Sequence, residues 1–143
     1  ADIRTVPRSR KNPQYDQESL SSLLANHNIG YVHFKELGGL RHAKKDSVNG
    51  AWENASFRGY ADYMQTDDFA RAMEELVALA AERTTAIMCA EAVPWRCHRS
   101  LVGDALLVRG VEVLDIMSEK SAKPHKLTPW ARVDGVRITY PIG

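Results

Sequence analysis

The sequence points to an α/β protein of Rossmann-like, three-layer α/β/α architecture, with a mainly parallel sheet and a β-hairpin at the C-terminal end. Three observations carry this expectation. Residues 84–89 are a short apolar, β-rich run. Leu101, Val102, Ala105, Leu106 and Val108 then recur at helical spacing, and Gly110 supplies a stop. Residues 111–116 are a second apolar run of strand length. Strand, polar loop, helix and strand in this order make a βαβ unit, which needs parallel strands with helices laid on the sheet.

The remaining elements follow in chain order. Residues 2–6 read as the end of a strand, and residues 7–13 as a basic loop. Asp16 can cap a helix with Leu20, Leu23, Leu24 and His27 on one face, stopped by Asn28 and Gly30. Residues 30–37 contain Tyr-Val-His-Phe and read as a strand. Residues 38–56 form a long polar loop with a short helix expected around 49–54, and loops of this length are often functional. Residues 57–64 suggest a short helix. A stronger one follows, capped by Thr66 or Asp67 and striped by Phe69, Met73, Leu76, Val77 and Ala80. Residues 118–126 have a linker composition of Ser, Lys and Glu. Asp134-Gly135 between β-prone runs at 131–133 and 136–140 is a two-residue hairpin signal.

The 143 residues, 44% hydrophobic and 26% charged, fit one domain spanning 1–143. No run approaches the roughly 20 apolar residues of a membrane span. Two cysteines do not make a disulfide framework, so a reducing cytoplasm is the expected setting. A net charge of +1 argues against a general nucleic-acid binder. The charge is uneven: Arg4, Arg8, Arg10 and Lys11 form one basic cluster and Arg41, Lys44 and Lys45 a second.

The richest stretch is Cys89-Ala90-Glu91-Ala92-Val93-Pro94-Trp95-Arg96-Cys97-His98-Arg99, which holds both cysteines. Cys-Ala-Glu-x-x-Pro-x-x-Cys-His-Arg after an apolar strand resembles the signature of the domain of unknown function 488 family. Asp2-Ile3-Arg4 with Pro7-Arg8-Ser9, Leu37-Gly38-Gly39, Phe57-Arg58-Gly59-Tyr60-Ala61-Asp62-Tyr63 and Leu127-Thr128-Pro129-Trp130-Ala131 extend the resemblance over nearly the whole chain. The resemblance implies a bacterial or archaeal α/β protein and supplies no reaction. Members of the family usually carry a strand ending in Thr-Ile-Gly-His-Ser and a helix before the Asp-x-Arg strand. This chain starts inside that second strand.

In an open parallel sheet the strand ends converge on one side, where ligands bind. That would gather Arg4 and Arg8, then Gly38, Gly39 and Arg41, then Cys89, Glu91, Cys97, His98 and Arg99. Glycines admit a ligand to the backbone, a helix N-terminus offers free N–H groups, and arginines offer forked donors. The common ligand is a small anion, phosphorylated or nucleotide-like, and no cofactor is expected. Cys97 is the nucleophile candidate, against a bland reading as a small residue packing the helix start. Cys89 reads first as buried. Glu91 is a candidate base or hydroxyl holder, against a loop carboxylate paired with Arg96 or Arg99. His98 is the third catalytic candidate, against a hydrogen-bonded core histidine. Helical neighbours point ~100° apart, which disfavours a direct relay between His98 and Cys97. Pro94 and Trp95 would shape the loop.

Tyr60, with Phe57 and Tyr63, could stack on a base, although such aromatics are more often core. Trp52 reads as a lid contact and Trp130 as an anchor for the tail. A zinc site at Cys89, Cys97 and His98 lacks the usual ligand spacing and would need a fourth ligand such as His33 or His42. No metal is expected. Three functions remain: an enzyme using the Cys/Glu/Arg cleft, a non-catalytic nucleotide or anion module, and a nucleic-acid accessory protein using the basic loops.

Overall fold

A computed structural model describes residues 1–91 and 96–143; Pro94 and Trp95, expected to shape the loop, lie outside these. Among the described residues four helices, α1 (Gln17–Asn26), α2 (Ala55–Tyr63), α3 (Asp67–Glu82) and α4 (Arg99–Leu107), are followed by four short strands: β1 (Leu114–Ser118), β2 (Ser121–Pro124), β3 (Arg132–Asp134) and β4 (Arg137–Thr139). Single 3-10 turns occupy Pro13–Tyr15 and Lys35–Leu37. Among the described residues no helix is long and apolar enough to cross a membrane.

Among the described residues the expected Rossmann-like three-layer fold with an extended parallel sheet is not formed. The strands form two antiparallel pairs, β1 with β2 and β3 with β4. The three runs read as parallel strands near residues 2, 33 and 88 meet only through single bridges, Asp2 to His33 and Asp2 to Met88. Phe34 N–H donates to Asp2 O at 2.8 Å, and Ile3 N–H to Met88 O at 3.0 Å. The ladder stops there because side chains take the next backbone groups. Arg4 N–H donates to the Asp2 carboxylate at 3.1 Å, the Ile3 carbonyl meets His98, and the Arg4 carbonyl meets His33. A carbonyl engaged by an imidazole is closed to a neighbouring strand. Of the run 111–116, read as a further strand of that sheet, only 114–116 is in a strand, and it pairs antiparallel with residues 122–124, inside the stretch read as a linker.

The helices follow their sequence signals. Thr66 Oγ1 accepts the Phe69 N–H at 3.2 Å and caps α3, which buries Phe69, Met73 and Leu76. Asn54 caps α2 through the Ser56 and Phe57 N–H groups, and no helix forms at 49–54. Asp16 sits at the start of α1 but spends its carboxylate on the Ser9 N–H at 2.7 Å. Ile3, Leu37, Tyr60, Met73, Leu101 and Val102 are fully enclosed in the core, each apolar side chain of this size contributing about 1.5–3 kcal/mol. The Asp134-Gly135 hairpin is present, with Gly135 at φ 63°. It packs on the long loop: Ala51 N–H donates to Tyr140 O at 2.9 Å. Trp52 is not a lid. It meets Phe57, Trp130 and Tyr140 edge-on at 5.2, 5.2 and 5.4 Å.

A buried polar chain ties the loop to the C-terminal segment. Asp62 accepts from Lys44 N–H, Ser47 Oγ and Asn49 Nδ2 at 2.6–2.8 Å. Burial alone would raise the Asp62 pKa, but these donors hold it below the usual carboxylate value. Asn49 Oδ1 accepts the Tyr140 N–H, and Tyr140 Oη donates to Asp104, both at 2.8 Å. Asp104 also meets His125 Nε2 at 2.9 Å, while His125 Nδ1 faces Asp115 at 2.9 Å.

Candidate functional site

The start of α4 organises the site. His98 is the residue before the first helical turn, and its carbonyl accepts the Leu101 and Val102 N–H groups at 3.0 Å. Its Nε2 lies 2.9 Å from the Ile3 carbonyl oxygen, a contact that favours the proton on Nε2, and the Leu37 carbonyl also acts on the ring. Burial lowers the His98 pKa; the Ile3 and Leu37 carbonyls oppose that shift, and the Arg99 and Arg41 charges add to it. It lies 4.9 Å from the Tyr60 ring. Gly39 backs the other side: a Cβ there would stand 2.7 Å from His98 Nδ1. The imidazole therefore needs glycine at 39.

Cys97 is 4% exposed. Its Sγ accepts the Arg99 N–H at 3.3 Å and lies 3.5 Å from His98 Nδ1. Sequence neighbours on a regular helix would diverge, but both residues precede the first full turn, where the backbone brings sulfur and imidazole together. Cys97 is joined to Cys89 in a disulfide, so the free thiol expected at 97 is spent here. Cys89 is half-buried, and its sulfur accepts the Glu91 N–H at 3.3 Å.

Arg99 Nη2 donates to the Glu91 carbonyl at 2.8 Å, and its Nε is buried without a hydrogen-bond partner among the described residues. Arg41 lies over the Tyr63 ring at 3.6 Å, and its Nε donates to Gly38 O at 3.2 Å. Both guanidinium groups thus spend hydrogen bonds on carbonyl oxygens, and among the described residues no carboxylate is bonded to either. Burial lowers the Arg99 pKa, and the Asp115 and then the exposed Glu91 charges oppose that shift.

The structure therefore brings together Cys89, Glu91, Cys97, His98, Arg99, Gly39 and Arg41, with Gly38 buried behind Arg41. Three expected ligand residues stand apart. Arg4 contributes only its backbone to this rim, because its guanidinium is buried on the Asp2 carboxylate at 2.8 Å and on Tyr15 O at 2.8 Å. Burial would raise the Asp2 pKa, but the Arg4 and Tyr31 bonds pull it down. Arg8 is exposed, and no side-chain contact ties it to the cluster among the described residues. Tyr60 is fully buried with its hydroxyl on Leu37 O at 2.9 Å, so it supports His98 and offers no face to a base. Among the described residues no group of three or more His, Cys, Asp and Glu side chains is arranged to hold a metal ion. His33 Nε2 is spent on Arg4 O at 2.6 Å, and His42 is exposed.

Two features were not read from the sequence. One is the Asp104–His125–Asp115 cluster. Its signal was an acid inside the apolar stripe Leu101, Val102, Ala105 and Leu106, which needs buried partners. The other is an apolar cleft of about 830 Å³ between 84–87 and 111–116, reaching Arg99 at one end.

A family model described as "Domain of unknown function DUF488" matches residues 1–106. No curated protein and no solved structure matches the chain.

Proposed function

The chain belongs to the DUF488 family, and from that premise we propose that it is an enzyme whose reacting group is the Cys97 thiol, acting on a small anionic substrate, phosphorylated or nucleotide-like. The observation that carries this reading is the setting of one sulfur. Cys97 Sγ receives a backbone N–H at the mouth of α4 and lies 3.5 Å from Nδ1 of an imidazole whose pKa burial lowers. A helix N-terminus favours a thiolate, and an adjacent imidazole lone pair can take the thiol proton.

Arg41 and Arg99 supply the attraction for an anion. Each acts on His98, so both charges lie near the reacting sulfur. Glu91, exposed beside Arg99, is placed to meet a substrate hydroxyl or to act as a base. Arg4 has no part in the clamp, since Asp2 occupies it. A reducing cytoplasm suits this chemistry, because the thiol must be released from Cys89 before it can act.

The pairing of Cys89 with Cys97 favours a second reading, a binding module that holds an anion without reacting. A nucleic-acid accessory role has only the exposed Arg8, Arg10 and Lys11 in its support.

A thermal-shift series on the reduced protein tests the anion site, with inorganic phosphate and nucleoside monophosphates as probes. Wild type should gain Tm with at least one of them, and R99Q should lose that gain. The absence of any shift in wild type would contradict the anion site.

A further inference from the structure

The two sulfurs of the site have unlike surroundings. Cys97 is enclosed, lies at the start of α4, accepts the Arg99 N–H and faces His98 Nδ1. Cys89 is half-buried, follows the bridge residue Met88, and is followed by Glu91 with its exposed carboxylate. A bond to Cys89 uses the very sulfur that the neighbours of Cys97 are arranged to activate.

Given Cys97 as the reacting group of the proposed enzyme, we infer that Cys89 and Cys97 form a reversible dithiol–disulfide couple that switches this site off and on. Cys97 meets the oxidant, and Cys89 closes the pair. The asymmetry sets the roles. Hydrogen-bond donation and nearby guanidinium charge stabilise the Cys97 thiolate, which makes it the better attacking sulfur and, in the closed form, the better leaving group. Cys89 is the more exposed sulfur and the one an incoming thiolate reaches.

The oxidant class is a hydroperoxide. The Cys97 thiolate attacks the terminal oxygen; an S–O bond forms, the O–O bond breaks, and the departing alkoxide or hydroxide takes a proton. Cys97 is now a sulfenic acid. The Cys89 thiolate attacks that sulfur; an S–S bond forms, the S–O bond breaks, and the hydroxyl leaves as water after taking a proton. The two cysteines have lost two electrons and the peroxide has gained them. The reductant class is a dithiol. One of its thiolates attacks Cys89 Sγ and expels Cys97 as thiolate. Its second thiolate then attacks the reductant's own sulfur in the mixed disulfide, which frees Cys89 and releases a cyclic disulfide. In the closed form the site keeps its arginines but has no sulfur free to attack.

The test uses the full chain without any anionic compound. The protein is reduced with dithiothreitol, freed of it, exposed to hydrogen peroxide and alkylated with iodoacetamide. Intact mass and peptide mapping then count the thiols. Wild type should lose both of its two thiols together, within one chain, and dithiothreitol should restore both. C89S should oxidise at the wild-type rate and halt as a sulfenic acid that dimedone captures on Cys97. In C97S the Cys89 thiol should be consumed about tenfold more slowly, as expected for a sulfur without thiolate stabilisation. Wild-type protein in which dimedone captures each cysteine separately, or in which the pair forms only between chains, would overturn the couple. That mass measurement stands without either variant. The two proposals fail separately. A reversible couple in a protein that no phosphate compound stabilises leaves the switch and removes the substrate reading. Phosphate stabilisation with thiols that never pair does the reverse.

Discussion

His98 Nε2 is bonded to the carbonyl oxygen of Ile3, 95 residues earlier in the chain, at 2.9 Å. This one contact anchors the start of α4 to the first segment. It also orients the imidazole so that Nδ1 faces Cys97 Sγ.

Replacing the ring by H98A should therefore act on two levels. The Ile3 carbonyl, in the core, loses its partner, which costs about 1–3 kcal/mol of stability. Urea denaturation of the oxidised protein measures that loss. The reduced variant should also alkylate more slowly at Cys97, because no acceptor remains for the thiol proton. An unchanged denaturation midpoint would mean that the contact does not hold α4.

Gly39 is the second support of the same ring. A Cβ at 39 would stand 2.7 Å from His98 Nδ1 and 3.1 Å from its Cγ. G39A should destabilise by about 1–3 kcal/mol, the range for an overpacked interior. Its effect should fall far below additivity with H98A, since truncating the ring removes the clash. A double-mutant cycle in urea reads this directly.

How far the sequence revealed this site depends on which residues are considered. Both cysteines, Glu91, His98 and Arg99 lie in one motif, and the convergence of Gly39 and Arg41 on them followed from three short β-prone runs ending on one side. Those runs do meet, at Asp2, His33 and Met88. They do not continue into a sheet, because His33 and His98 take carbonyls that a neighbouring strand would need. Patterning measures burial and alternation and is blind to that competition. The Arg4 guanidinium lies away from the cleft for a reason legible in the sequence. Asp2 and Arg4 are two apart on an extended segment and so share a side; their ion pair was there to be seen. The disulfide was not, since a single pair of cysteines reads equally well as free thiols.

The two buried histidines should titrate with opposite sign. His125 is held by Asp104, against the cost of burial, and then by Asp115, so its pKa is raised above the ordinary 6.5. Its stabilisation is fully present below 6.5 and is lost as pH rises through the raised folded value. The His98 value is lowered, so below the ordinary 6.5 the unfolded chain binds the proton first and stability falls with acid. H125Q should thus cost more in mildly acidic than in alkaline solution, and H98Q should flatten the acid limb. Equal losses for H125Q at both ends would contradict a charged His125.

Asp104 is the hub of that cluster. It is fully buried and serves His125, Thr128 N–H and Tyr140 Oη. D104A should cost roughly 3–5 kcal/mol, the range for breaking one member of a buried charged pair. D134A, on the exposed β3–β4 turn, should change stability by less than about 0.5 kcal/mol. Thermal or urea unfolding of both variants checks the contrast.

Local contacts at the mouth of α4 make Cys97 the reactive sulfur of the reduced protein in this proposal. Site-resolved iodoacetamide labelling at neutral pH, with peptide mass read over time, tests it most directly. Cys97 should label faster than Cys89, and a phosphate compound that raises Tm should slow the labelling of Cys97. Equal rates at the two cysteines, or faster labelling of Cys89, would contradict the account.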